Sequence, residues 1–135
     1  MGSNKPDFGG WVTKNDLKCS DGKTIRHGAF KHMNGVKVPL MWQHTWNEAS
    51  AVLGYVILEH RDAGVYGYGY FNDTDNGRHA KLMVEHGDIE SLSIHANRLQ
   101  MSGKDVLHGD IKEVSLVLSG ANPGAYIDPL SMAHG

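Results

Sequence analysis

Three side chains of this sequence sit where a reaction can be staged. His44 follows the apolar run Val36-Lys37-Val38-Pro39-Leu40-Met41-Trp42 and Gln43. In that run Val36, Val38, Leu40 and Trp42 alternate with the period of a strand. An imidazole at such a strand end is held rigidly and still reaches a cleft. Ser93 lies in Gly87-Asp88-Ile89-Glu90-Ser91-Leu92-Ser93-Ile94-His95. A strand there points Leu92 and Ile94 to one face and Ser91, Ser93 and His95 to the other. That makes a good mount for a nucleophile, because a hydroxyl must be held close to its base. Glu113 belongs to the segment from Asp110 to Leu118, where Val114, Leu116 and Leu118 form an apolar face. Its own face carries Ile111, Ser115 and Val117, and a carboxylate in so mixed a setting costs free energy unless it has a partner. The chemistry open to these types is acyl transfer, since a serine hydroxyl is a poor nucleophile until an imidazole accepts its proton. Each residue also has an ordinary reading: a structural strand-end histidine, a solvated serine face, a surface ion pair. Residue type and spacing leave both sets open.

The sequence has 9 His, which raises the question of a metal. Three imidazoles from different strands can hold zinc. Against that, His27, His32, His60, His79, His86, His108 and His134 stand mostly in polar or loop contexts, where solvated surface is the expected role. There is no GxGxxG opening a helix, no P-loop, no HExxH, no GxSxG and no paired-cysteine spacing. Neither a cofactor nor a metal is expected.

These side chains must be positioned by a small domain. The chain has 135 residues, with 13 Lys and Arg against 15 Asp and Glu, a net charge of -2. Such balance lacks the electrostatic footprint of a nucleic-acid binder. No apolar stretch is long enough to span a bilayer, so neither nucleic acid nor membrane is expected as a partner. The single Cys19 fits a reducing compartment. With 17 Gly and only 4 Pro, tight turns and bulges between short strands are expected. The predicted elements begin after a loose N-terminus (residues 1–9). They are an Asp21-Gly22 turn, one or two helical turns over 27–33, and strands over 36–42, 52–58 and 65–71. A helix follows Asp73-Thr74-Asp75-Asn76 and ends before Gly87. Further strands cover 89–96, 98–101, 106–108 and 111–118, and 128–135 is a short tail. Pro39 assigns its strand to an edge or a bulge. Gly67 and Gly69, opposite the Tyr66-Tyr68-Tyr70 row, mark a close approach or a sharp bend. Many short strands with one good helix give a mainly β fold, a small antiparallel barrel flanked by helices, over a single domain of residues 1–135.

Five segments taken in order resemble the tailed-phage prohead proteases, capsid-maturation serine peptidases related in fold to the herpesvirus assemblins. They are Gly28-Ala29-Phe30; Trp42-Gln43-His44 with Leu53-Gly54; Leu92-Ser93-Ile94 after the helix; Glu113-Val114-Ser115-Leu116-Val117; and Ala121-Asn122-Pro123-Gly124-Ala125. The resemblance covers about Gly10 to Ile127. It implies a serine endopeptidase with His44 as base, Ser93 as nucleophile and Glu113 as the group that orients His44. It also implies an oxyanion site at the Gly120-Ala121-Asn122 turn, so Ala121 and Asn122 join the candidate residues. His95 is assigned to the cleft wall. Two departures stand out: Thr45-Trp46 follows His44 where an Asp is common, and Ser119-Gly120 replaces a common Pro. The implied substrate is a major capsid protein or scaffold precursor, and self-cleavage is implied too. The implied location is the assembling procapsid in the cytoplasm of a bacterial host, and a homodimer is compatible with the resemblance. The competing readings are a non-catalytic barrel of the same fold in the capsid or scaffold, and a histidine-rich metal hydrolase.

Overall fold

Alternating apolar and polar positions build one seven-stranded sheet. The computed structural model describes residues 5–132. In chain order the elements are β1 (Phe8–Lys14), β2 (Thr24–Ile25), β3 (Lys37–Trp42), β4 (Val52–Arg61), β5 (Gly64–Phe71), α1 (Asp75–His86), β6 (Ser91–Ser102) and β7 (Asp105–Val117). Short 3-10 turns occupy Lys31–Met33, Ala49–Ala51 and Pro129–Met132. The strand order is β1-β5-β4-β3-β7-β2, with β6 also on β7. Hairpins join β4 to β5 and β6 to β7, both antiparallel. β3 and β2 run parallel to β7, so the antiparallel barrel expected from sequence has two parallel seams.

The segment after residue 124 joins the two ends of this sheet. The Trp11 amide donates to the Tyr126 carbonyl (3.0 Å) and the Asp128 amide to the Gly9 carbonyl (2.8 Å). On the other side the Leu92 amide donates to the Ala125 carbonyl (3.2 Å) and the Ile127 amide to the Glu90 carbonyl (2.8 Å). Residues 125–128 thus lie between β1 and the start of β6 and curl the sheet into a barrel. A Cβ at Gly10 would come within 2.7 Å of the Tyr126 carbonyl, which is why the chain needs glycine there.

Two boundary expectations are corrected. Strand β1 begins at Phe8, inside the segment read as loose. Phe8 is 1% exposed, and its ring lies 5.6 Å from that of Phe71. Burying it contributes about 2 kcal/mol. Residues 128–131 are likewise docked: the Gly9 amide donates to Ser131 Oγ (2.9 Å), which donates to the Asp128 carbonyl (2.6 Å). The Tyr row and its glycines divide as the alternation implies. A Cβ at Gly69 would fall 2.1 Å from the Phe8 ring, so that glycine makes room for a core side chain. On the opposite face Tyr68 donates to Glu59, and the Arg61 guanidinium lies 3.9 Å from the Tyr66 ring centroid.

Helix α1 starts as its sequence signals. Thr74 Oγ1 accepts from the Gly77 amide (3.1 Å), and Gly87, in a left-handed conformation, ends the helix. Its buried face is Gly77, Ala80 and Val84, small residues that bring the helix close to β4 and β5, while Leu82 is exposed. β3 lies between β4 and β7, but Pro39 itself is paired on one side only, beside a bulge in the β3–β4 ladder at Leu40/Met41. It pairs with Tyr55 of β4 just before β7 joins β3 at Leu40, where its missing N–H costs no second bond.

The four short strands expected after the helix are two long ones. β6 and β7 run through three register shifts instead of breaking. One shift decides the site: His95 pairs with Glu113, but the next residue, Ala96, pairs with Ile111. The extra residue in β7 is a bulge that turns Ile111 into the core and leaves Glu113 on the opposite face. Simple alternation had put both on one face.

Candidate active site

His44, Ser93 and Glu113 hang from three adjacent strands, β3, β6 and β7, with β7 in the middle. Trp42 pairs with Leu116, and the chain then turns back over the outer face of β7. It does so through two successive non-glycine residues in the left-handed region, Gln43 (φ 50°) and His44 (φ 55°). Such conformations cost on the order of 1 kcal/mol each and persist only where neighbours enforce them. Here the Gln43 amide donates to the Leu116 carbonyl (3.0 Å), and Gln43 Oε1 accepts from the Leu118 amide (2.9 Å). Thr45 closes the turn by donating from both its amide (3.0 Å) and its hydroxyl (2.7 Å) to the Trp42 carbonyl.

The turn sets the imidazole between the other two groups. His44 Nε2 lies 3.1 Å from Ser93 Oγ, and Nδ1 is hydrogen-bonded to Glu113 Oε1. With the carboxylate accepting at Nδ1–H, Nε2 is left to take the Ser93 proton. The Glu113 residue is 2% exposed, whereas the His44 side chain is 29% exposed. The carboxylate is therefore shielded by the ring it orients, and the ring keeps an open side. Ser93 pairs with Ser115 and His95 with Glu113, so all four point to the same face of the β6–β7 ladder.

The 120–122 turn packs against β6 next to Ser93: a Cβ at Gly120 would lie 2.7 Å from the Leu92 carbonyl. Among the described residues the amides of Gly120, Ala121 and Asn122 have no acceptor. The Asn122 side chain is committed elsewhere. It donates to Thr13 Oγ1 (3.1 Å) and the Lys14 carbonyl (2.9 Å) and accepts from the Gly124 amide (2.9 Å), fastening the turn to β1. What this segment offers to an incoming anion is therefore backbone N–H, not a side-chain amide.

Ser93, Ala121 and Asn122 line a cavity of about 220 Å³, whose apolar wall includes Ile25, Phe30, Leu99 and Val106. Cys19 also lines it, and burial, with the nearby Asp21 charge second, pushes its thiol above the ordinary value. Outside the cavity Trp46 is 56% exposed, its ring 4.3 Å from that of His95 and 6.0 Å from that of His44. Trp46 was noted in the sequence only as a departure from a pattern, and Ser115 only as a neighbour of Glu113. A larger cavity of about 460 Å³ beside α1, lined by Trp42, Leu53, Ala80 and Met83, includes none of the three groups.

The remaining histidines lie apart. His32 bonds Asp110 (2.8 Å) and stacks on His108, His86 meets Asp88, and His27 sits edge-on to His60. His134 is outside the described residues. Among the described residues no three His, Cys, Asp or Glu side chains are grouped so as to hold a metal ion. Nor is any described helix long and apolar enough to cross a membrane.

No protein family matches this sequence, and neither does any curated protein. Solved structures do match the fold. The Kaposi's sarcoma herpesvirus (KSHV) protease in complex with a hexapeptide phosphonate inhibitor superposes with a TM-score of 0.65 at 14% identity. That alignment covers 88% of this chain and 62% of the other, so this chain spans less than two thirds of its length. The same virus's protease in complex with an allosteric inhibitor gives a TM-score of 0.50 at 11% identity, over 89% and 75% of the two chains. The fold is thus mainly β with one helix, a curled, barrel-like sheet of the assemblin kind.

Proposed function

We propose that this chain is a serine endopeptidase in which His44, Ser93 and Glu113 act as base, nucleophile and orienting acid. The observation that carries the reading is the 3.1 Å approach of His44 Nε2 to Ser93 Oγ, with the other ring nitrogen bonded to a buried carboxylate. In the first half-reaction Ser93 Oγ bonds to the scissile carbonyl carbon while its proton passes to His44 Nε2. The carbonyl oxygen becomes an oxyanion stabilised by the Ala121 amide, with the Gly120 and Asn122 amides beside it. Collapse breaks the C–N bond, and His44 returns the proton to the departing amine. Water, deprotonated by the same imidazole, then hydrolyses the acyl-enzyme. The side chain before the cleaved bond enters the cavity at Ser93, against its wall of Ile25, Phe30, Leu99 and Val106.

The natural substrate in this reading is a capsid or scaffold precursor, and the chain also cuts itself, inside a phage procapsid assembling in the bacterial cytoplasm. Support comes from the five segments that resemble prohead proteases and from the likeness in fold to a herpesvirus protease. A homodimer is part of the same proposal. A phosphonate is attacked at phosphorus by a serine hydroxyl much as a carbonyl is, so a fluorophosphonate reagent is the direct probe. It is expected to label the wild-type protein at Ser93 and to leave S93A unlabelled. Co-expressed precursor is expected to be cut by the wild type and not by S93A. Equal labelling of both proteins would remove Ser93 as nucleophile.

A further inference from the structure

Ser115 is fully buried on β7, directly across the ladder from Ser93. Its Oγ accepts from the His44 amide (3.0 Å) and donates to Glu113 Oε2 (2.7 Å). With the bond from His44 Nδ1 to Glu113 Oε1, these contacts close a ring. It runs from the His44 backbone through the Ser115 hydroxyl and the Glu113 carboxylate to the His44 imidazole. We propose that Ser115 is a positioning residue that fixes the imidazole at both ends, by its backbone and by its carboxylate partner. The inference rests on the endopeptidase reading of the same site.

Two arguments lead there. The first concerns the single proton of the hydroxyl. One Oγ lone pair is taken by the His44 amide, so the proton goes to Glu113 Oε2. That bond fixes the plane of the carboxylate and aims the other oxygen, Oε1, at Nδ1. Without it the buried carboxylate keeps one oxygen unpaired and is free to rotate about its last torsion, a broad one. The second concerns the backbone. Gln43 and His44 both hold left-handed conformations, and a return of His44 to negative φ would swing the ring away from Ser93. The bonds to Leu116 and Leu118 restrain Gln43. Among the described residues, Ser115 is the side chain that restrains the backbone of His44 itself. One hydroxyl thus resists both ways in which the base can drift.

The test measures the rate constant and the affinity of fluorophosphonate labelling separately for S115A and S115C. Alanine removes the hydroxyl, and cysteine keeps a side chain of similar shape with a weaker donor and acceptor. Both variants are expected to lose about tenfold or more in the labelling rate constant, with affinity within about threefold of wild type. Thermal unfolding is read alongside, since a purely structural role would move stability and leave the labelling of the folded protein unchanged. In an E113Q background S115A is expected to cost less than it does in the wild type, because the carboxylate it aims is already gone and only its hold on the His44 amide remains to be lost. A wild-type labelling rate in folded S115A or S115C would overturn the proposal, as would a full independent loss in the double variant. Absence of labelling in the wild type would overturn the endopeptidase reading, and this inference with it.

Discussion

Replacing Glu113 with Gln exchanges one of two accepting oxygens for a donor in a pocket where both neighbours donate. His44 Nδ1–H and the Ser115 hydroxyl each point at the carboxylate. If the amide oxygen faces Ser115, the NH₂ group faces Nδ1 and selects the tautomer that carries its proton on Nε2. That ring cannot accept from Ser93. If the oxygen faces His44, the NH₂ group meets Ser115 Oγ, and the serine proton loses its only acceptor. Desolvating an unpaired hydroxyl costs about 1–3 kcal/mol, so the first orientation dominates. In the Ser-His-Asp worked example, the acid-to-amide change lowers turnover about 10⁴-fold through the wrong tautomer. The same logic predicts a loss of about 10³ to 10⁴ here, or roughly 4–5 kcal/mol in activation free energy. Volume and shape hardly change, so stability is expected to fall by no more than about 2 kcal/mol. The assay pairs fluorophosphonate labelling with urea unfolding of wild type and E113Q. A folded variant that labels within about threefold of wild type would refute the tautomer argument.

Two further outcomes follow from the surroundings of the site. Trp46 presents an exposed ring against His95 and near His44, so W46A is expected to raise KM for a peptide substrate about tenfold while kcat moves less than threefold; an unchanged KM would exclude that ring from substrate contact. The Cys19 thiol is pushed up first by burial and then by Asp21, so the folded chain keeps it protonated to higher pH than the unfolded chain does. Its contribution to stability is full below the unfolded thiol value and is lost as pH rises toward the folded one. Iodoacetamide at about pH 8.5 should therefore alkylate native protein more slowly than urea-unfolded protein, and equal rates would contradict the shift.

How much of this was legible beforehand depended on whether local pattern or remote pairing decides. Helix α1 is written in Thr74 and Gly87, and the strand before His44 in its alternation. The faces of β6 were correct because that segment keeps strict period two around Ser93. Glu113 was placed on the right face but given a wrong companion, since the extra residue before it sends Ile111 inward. Phe8 and Gly9 read as loose because the segment is polar and glycine suggests turns. In the fold these residues pair with β5, and Gly10 admits the Tyr126 carbonyl. The 125–128 segment has too few residues and too few partners to read as a strand, yet it bonds to both sheet ends. The left-handed pair Gln43-His44 carries neither Gly nor Asn, so no local signal announced it. Ser115 was beyond reach for a related reason, because its partners are a backbone amide 71 residues away and a carboxylate on its own strand.

The bulge that separates Ile111 from Glu113 divides labour along β7. Before it Ile111 faces the interior, and after it Val114 and Leu116 face inward while Glu113 and Ser115 face the other way. Loss of the extra residue would leave Ile111 inward and Glu113 on the opposite face, as consecutive residues of a regular strand, whereas regular pairing of Lys112 would put Ile111 and Glu113 on one face. The pairing register of a single residue, Lys112, thus sets which side chains of β7 meet Ser93 and which meet the core.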